Sequence, residues 1–359
     1  MRFLDTLLHK QLVGLDIGIS GIKAVEISRE KTPRILAYNR VPLPWDTISV
    51  EGEVKQRDIL VQALKKLFSV GCFSSKKVAV SAFGRSIMTK RISVPVMTED
   101  ELDHQLYWEA EQYIPFNVNE VNLDFAILGT NSQTLAQEPK MDVLLVAAKK
   151  EFIKFLQALM KDAGLVPALI DNQAFALGNA FSFNYSGWTK TQGCNTSVLI
   201  DFGAGSTKVS VVEAGNTTFS RDVQACGSKC TELISQKLGM SMEEAEQAKI
   251  LAPLSEPLLE SVIREYSQNL ADEISRTIDF FLSQSTDHSI DAVFVCGGGA
   301  SLLGLQEALQ EKMPAPVHLL NPIKHIIGTG SKTNAHAIQE LSALGAVATG
   351  LSLRKEGDA

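Results

Sequence analysis

Polar and apolar positions in the first third of the chain fall into short blocks. Residues 12–17, 22–28 and 34–41 are apolar or alternate with the period of two that half-buried strands require, and turn-forming residues separate them. The period then lengthens. Ile59, Leu60, Ala63, Leu64, Leu67 and Phe68 form one stripe along a helix predicted over 55–69, and 77–82 is an apolar run of strand length. A three-stranded meander followed by a helical crossover into a fourth strand is the plan these patterns predict. The plan returns downstream. Residues 197–201, 207–213 and 217–223 read as a second meander, 227–238 as a helix and 291–295 as a buried strand. Helices are expected at 242–251, 258–285, 304–313 and 335–349. Two halves written to one plan predict duplicated α/β domains facing each other across a cleft.

Between the halves, residues 86–161 have a different texture. A strand at 88–94 precedes a helix that Thr98 caps, with Glu99, Asp100 and Glu101 complementing its N-terminal dipole. Ile114-Pro115 ends that helix, because the residue before proline avoids the helical region. Strands at 121–128 and 141–147 flank a polar loop at 129–140, and 149–163 is an amphipathic helix. A strand at 164–170 then leads into a helix bridging the halves, with Asp171 at its start, where capping and water-positioning readings both stand. At the N-terminus, Phe3, Leu4, Leu7, Leu8 and Leu12 have helical spacing, which suits either a membrane-surface or partner-docking helix or a short helix folded on the body.

Length and composition narrow the class. At 359 residues the chain exceeds one typical core, and 45% hydrophobic with 21% charged residues is the composition of a globular protein. A net charge of −7 with acids and bases interspersed leaves no basic footprint for nucleic acid. Five scattered cysteines suit reduced thiols better than a disulfide framework, and Cys226 and Cys230 find no matching pair or His cluster to complete a zinc site. Residues 1–12 carry Asp5, His9 and Lys10, unlike a secretory signal, and the longest uncharged run near the C-terminus, 341–353, is too short to cross a bilayer.

Three stretches carry candidate chemistry. In the first, the strand ending at Asp16 is followed by a turn holding Gly18, Ser20 and Gly21, then Lys23; in the second, Asp201 is followed by Gly203, Gly205, Ser206 and Thr207. Backbone N–H groups in such turns converge on an anion, and an Asp beside them can hold the water shell of phosphate-bound Mg²⁺. The third is a buried strand running into Gly297, Gly298, Gly299 and Ala300, whose small residues permit close backbone approach to a phosphate or a flat ring.

In that order and wide spacing, the three stretches resemble the first phosphate, second phosphate and adenosine motifs of the actin-like (ribonuclease H-like) ATPase superfamily. The insert narrows the resemblance. Leu102 through Phe116, containing Trp108-Glu109-Ala110-Glu111-Gln112-Tyr113-Ile114-Pro115-Phe116, and the Asp124-bearing strand after it closely resemble the type IV pilus assembly protein family PilM, which shares an inserted α/β subdomain with the cell-division protein FtsA. The resemblance runs from about residue 12 to 351. It implies a first actin-like domain at 1–85 and 163–190, an inserted subdomain at 86–162, a second domain at 191–240 and 288–353, a helical lid at 241–287 and a tail at 354–359.

The resemblance also implies ATP and Mg²⁺ as cofactors. Asp16 and Asp201 would face the metal through water, Lys23 would contact phosphate, and Glu246 with Lys249, in a stretch like the Ala-Glu-x-x-Lys of FtsA and MreB relatives, would reach ribose and adenine. Asp171 would hold the position facing the water beside the terminal phosphate. The implied protein is a cytoplasmic scaffold, peripheral to the inner membrane through its partner and at most slow in hydrolysis. It would dock the N-terminal tail of the pilus protein PilN on Trp108, Tyr113, Pro115 and Phe116, with other inner-membrane pilus components, the assembly ATPase and self-association as further candidates. An FtsA-like division protein is the first alternative, although residues 351–359 lack the detached amphipathic helix of FtsA. A sugar kinase of the superfamily is the second, lacking a visible substrate-binding Asp base.

Overall fold

The computed structural model describes residues 11–131, 139–251, 256–284, 289–326 and 334–357; the expected helix at the N-terminus and most of the polar loop 129–140 lie outside them. In the first half, strands β1 (Val13–Gly18), β2 (Gly21–Ile27) and β3 (Ile35–Pro42) form the predicted meander. Helix α1 (Arg57–Gly71) crosses over to β4 (Lys77–Ala82), which lies parallel to β1. The stripe of α1 is rotated slightly from expectation: Val61 is buried while Ile59 is 37% exposed.

The insert is built from β5 (Ile87–Pro95), α2 (Glu99–Tyr113), β6 (Val121–Asn131) and β7 (Lys140–Lys149), with the antiparallel order β5-β7-β6. Thr98 and Glu101 close a capping box at the start of α2, Glu101 N–H donating to Thr98 Oγ1 at 3.3 Å and Thr98 N–H to the Glu101 carboxylate at 2.8 Å. Leu102, Leu106 and Ala110 pack this helix onto Ile92, Val143 and Leu145, so the insert has its own core.

Helix α3 (Lys150–Asp162) had been expected within the insert. Its buried residues Leu156, Leu159 and Met160 instead join Leu15, Leu64 and Val80 in the core of the first half. Strand β8 (Val166–Asn172) then pairs parallel with β4, completing the order β3-β2-β1-β4-β8. Helix α4 (Gln173–Gln192), capped by the Asn172 side chain, leads to the second half.

There β9 (Thr196–Phe202), β10 (Thr207–Glu213), β11 (Asn216–Val223), β12 (Ala292–Cys296) and the short β13 (Val317–Leu319) repeat the arrangement as β11-β10-β9-β12-β13. Helices α5 (Gly227–Leu238), α6 (Met242–Leu251) and α7 (Pro257–Leu282) surround a small core of Cys230, Ile234, Ala245 and Ile263, and α7 continues into the main core of this half. Helix α8 (Leu305–Lys312) covers the same sheet.

The expected helix at 335–349 is two, α9 (Ala335–Leu344) and α10 (Ala346–Ser352). Ala346 of α10 packs with Leu199, Ala292 and Phe294 of the second half, but the other contacts cross over. Leu341 joins Val25 and Tyr38, while Val347 and Leu351 join Leu12, Ala79 and Ala176, so the chain ends by returning to the first half.

Candidate functional site

Both hairpins place a lysine opposite an aspartate. Asp16 pairs across the ladder with Lys23, and Asp201 with Lys208, because in each case seven residues separate the two and the turn between them is short. Lys23 Nζ lies 2.8 Å from Asp16. Burial works against the Lys23 charge, but Asp16 and then Asp201 outweigh it and hold the ammonium above the ordinary lysine value. For Asp201 burial dominates and pushes the carboxyl up; Asp16 adds to that, while Lys23 and Lys208 oppose it. Two aspartates from opposite halves therefore feel one another's charge at the cavity wall, a setting in which the water shell of a divalent cation can be held.

The hairpin turns meet. Ile19 from the first lies within 3.2 Å of where a Cβ on Gly205 would sit in the second. Around them is a cavity of about 450 Å³, in the size range of cofactor sites, lined from both halves. Gly18, Ser20, Lys23 and Asp16 line it from the first half, and Asp201, Gly203, Gly205, Ser206 and Thr207 from the second.

Glycines of the third motif close the far side. Gly297 has φ +85°, and a Cβ there would meet Asp201 Oδ1 at 2.2 Å, so this position keeps space for the aspartate and shapes the turn. Gly298 and Gly299 line the cavity beside Ser301, Leu302 and Tyr266. Glu246 and Lys249 also reach it; the lysine is 2.6 Å from Glu246, 2.8 Å from Thr231 Oγ1 and 3.0 Å from the Gly227 carbonyl, which ties α6 to the start of α5.

Three of the sequence expectations change. Gly21 does not line the cavity; a Cβ there would come within 2.9 Å of the Val41 carbonyl, so this glycine serves the close approach of β2 and β3. Ala300 packs against the core of the second half instead. Asp171 ends β8, one residue before the helix cap, and its carboxylate takes the Arg354 guanidinium at 3.1 Å instead of lining the cavity. Gln173, at the first position of α4, lines it and donates to Asp16 at 3.4 Å. Thr207 lines it too, but its hydroxyl donates to the Ala225 carbonyl at 2.7 Å.

Lys208, Asp222, Arg40 and Gln173 are cavity residues that the sequence reading passed over. For Lys208 the signal was present, in the repeated seven-residue spacing from an aspartate. Asp222 and Arg40 come from third strands of their meanders, and only strand register brings them in.

The aromatic group of the insert divides. Tyr113 and Phe116 pack against its core, with Lys90 Nζ 5.9 Å from one ring centroid and Lys149 Nζ 5.1 Å from the other. Pro115 is exposed at the helix end. Trp108 is 80% exposed beside Tyr107, two positions from both Leu106 and Ala110 and so on the opposite side of α2 from the core.

Comparison with known proteins places this architecture. A solved structure described as a PilM-PilN type IV pilus biogenesis complex matches with a TM-score of 0.83 at 27% identity, covering 96% of this chain and 98% of that one. The ethanolamine utilization protein EutJ from Carboxydothermus hydrogenoformans matches with a TM-score of 0.53 at 15% identity, over 96% of this chain and 89% of that one, which is a likeness of fold. Two halves of one topology around a cavity, with the α/β insert in the first, make this an actin-like fold. The family model for type IV pilus assembly protein PilM matches residues 14–356, and the chain belongs to that family.

Proposed function

We propose that this protein is an ATP-binding scaffold of type IV pilus assembly that takes the cytoplasmic tail of PilN. The observation that carries the nucleotide reading is the convergence of two Asp–Lys hairpins and the Gly297–Gly299 turn on one cavity. The donor set fits Mg-ATP: backbone N–H groups and Lys23 for phosphate, Asp16 and Asp201 for the water shell of Mg²⁺, and the glycine turn with Leu302 and Tyr266 for the nucleoside. Mg²⁺ would supply charge neutralisation between the phosphates and the two carboxylates. Glu246 and Lys249 hold the lid to α5 and stand where ribose can be reached.

Gln173, replacing Asp171 in this role, faces the cavity beside Asp16 and is placed to orient a water. An amide orients water without taking its proton, so hydrolysis should run well below the ~10 per second of a median enzyme. We place the PilN tail where the insert meets the first half, beside Phe116 and Lys149, with Tyr113 and Pro115 next to them; Trp108 is exposed on the face of α2 away from the insert's core. Docking there would hold the protein at the inner membrane through its partner. Among the described residues no helix is long and apolar enough to cross a membrane.

Titration calorimetry with Mg-ATP tests the reading. Asp16→Ala removes a metal-facing carboxylate. Gly298→Val tests the other end without forcing the fold, since a Cβ there has a single neighbour, a Leu344 methyl at 3.6 Å. Both variants should lose binding; unchanged affinity in both would remove the nucleotide from this cavity. Asp171→Ala should leave ATP turnover unchanged while Gln173→Ala lowers it, and loss of turnover in Asp171→Ala would give the water-positioning role to Asp171.

A further inference from the structure

Lys208 repeats Lys23 in the second half in spacing, in register and in position. Each lysine stands seven residues after its aspartate, is that aspartate's cross-strand partner, and lines the same cavity. What differs is the counter-ion. Lys23 pairs with its cross-strand Asp16, whereas Lys208 turns from Asp201 to an ion pair with Asp222, which β11 presents beside it.

The two members of that pair sit in unlike surroundings. The Lys208 side chain is 11% exposed and Asp222 is 38% exposed, at the end of an edge strand. A carboxylate that water can reach regains hydration when its partner leaves, so releasing it costs little. An ammonium held in a cavity gains strongly from a charge-assisted bond to a phosphate oxygen. The balance therefore favours exchange once an anion enters.

We propose that Lys208 is the phosphate-binding lysine of the second half and that Asp222 holds it until a polyphosphate displaces the carboxylate. The inference rests on the reading of the cavity as the ATP site. It makes Asp222 a competitor of the ligand. Lys23 and Lys208 then grip a polyphosphate from opposite halves, and a ligand without phosphates gains nothing from Lys208.

Calorimetry of the full chain with Mg-ATP and with adenosine tests this. Lys208→Met should weaken ATP on the order of ten-fold or more, as expected for one charge-assisted bond, and leave adenosine unchanged. Lys208→Arg should keep most of the affinity. Asp222→Asn should move the other way and tighten ATP several-fold, because the lysine is released in advance. A merely structural ion pair has no such opposition of sign: the two changes would act alike. Wild-type affinity in Lys208→Met, or weakening in Asp222→Asn equal to that in Lys208→Met, would overturn the exchange while leaving the ATP site in place. Failure of the wild-type chain to bind Mg-ATP would overturn the nucleotide reading and this inference together.

Discussion

Asp201 shows how a residue proposed to face a bound metal can work against the fold that carries it. Its carboxyl is raised mainly by burial, so over the interval between ~4, where the unfolded aspartate titrates, and the raised folded value, the folded state holds the extra proton. Stability contributed by this group is therefore lost as pH rises through that interval, and the cost is complete above it. Asp201→Asn should raise the thermal midpoint of the nucleotide-free protein at neutral pH, and the gain should shrink toward pH ~4. The same variant should lose protection by Mg-ATP. A midpoint lowered at neutral pH would mean that the attraction of Lys23 and Lys208 outweighs desolvation. Gly297→Ala belongs to the opposite class, because a methyl there meets Asp201 and strains a φ of +85°; it should destabilise even without ligand.

At the level of elements, the contact between α4 and α10 joins the halves most closely. A Cβ on Gly350 would lie 1.7 Å from the Ala176 carbonyl, so the helices touch backbone to backbone. Gly350→Ala should cost at least about 2 kcal/mol, read from the denaturation midpoint at constant slope, since neither helix can move without disturbing β1 or the second half. Strands were legible in the sequence wherever alternation met a turn, and β4 and β10 fall on the expected residues. Helix α2 was legible through its cap. Short β13 was not, because three residues flanked by prolines and an asparagine give no period to read. The break between α9 and α10 falls at Gly345, whose φ of −99° and ψ of 13° are outside the helical range; one glycine inside an apolar run looked tolerable in sequence.

For the whole molecule, the ends of the insert are neighbours, since Ile87 pairs with Ala148 across the sheet. Removing 87–149 and joining the ends through a short linker should leave a folded, ATP-binding core that no longer takes the PilN tail. Extending the deletion through 161 should unfold the first half, because Leu156, Leu159 and Met160 leave its core. Circular dichroism and calorimetry on the two deletions check this, and equal stability of both would return α3 to the insert. The insert also leans on the second half: Arg91 lies 2.8 Å from Asp142 and 3.5 Å from Glu213 of β10, so deletion should lower the thermal midpoint modestly.

Periodicity and turn chemistry, both local, were enough in the sequence to determine two meanders, three glycine-rich turns and the capped helix of the insert. Their order along the chain carried the family resemblance. Tertiary structure alone decided which core each helix joins, because α3 and α9 are amphipathic in ways that would suit any neighbouring sheet and α10 is small, apolar and buried all round. It also decided which side chains share the cavity. Asp171 and Gln173 are two residues apart, yet one is spent on Arg354 and the other lines the cavity with Asp16, a distinction set by the exact residue at which β8 gives way to α4. Trp108 and Phe116 likewise read as one aromatic group, yet Trp108 is exposed while Phe116, past the end of α2, packs against the core of the insert.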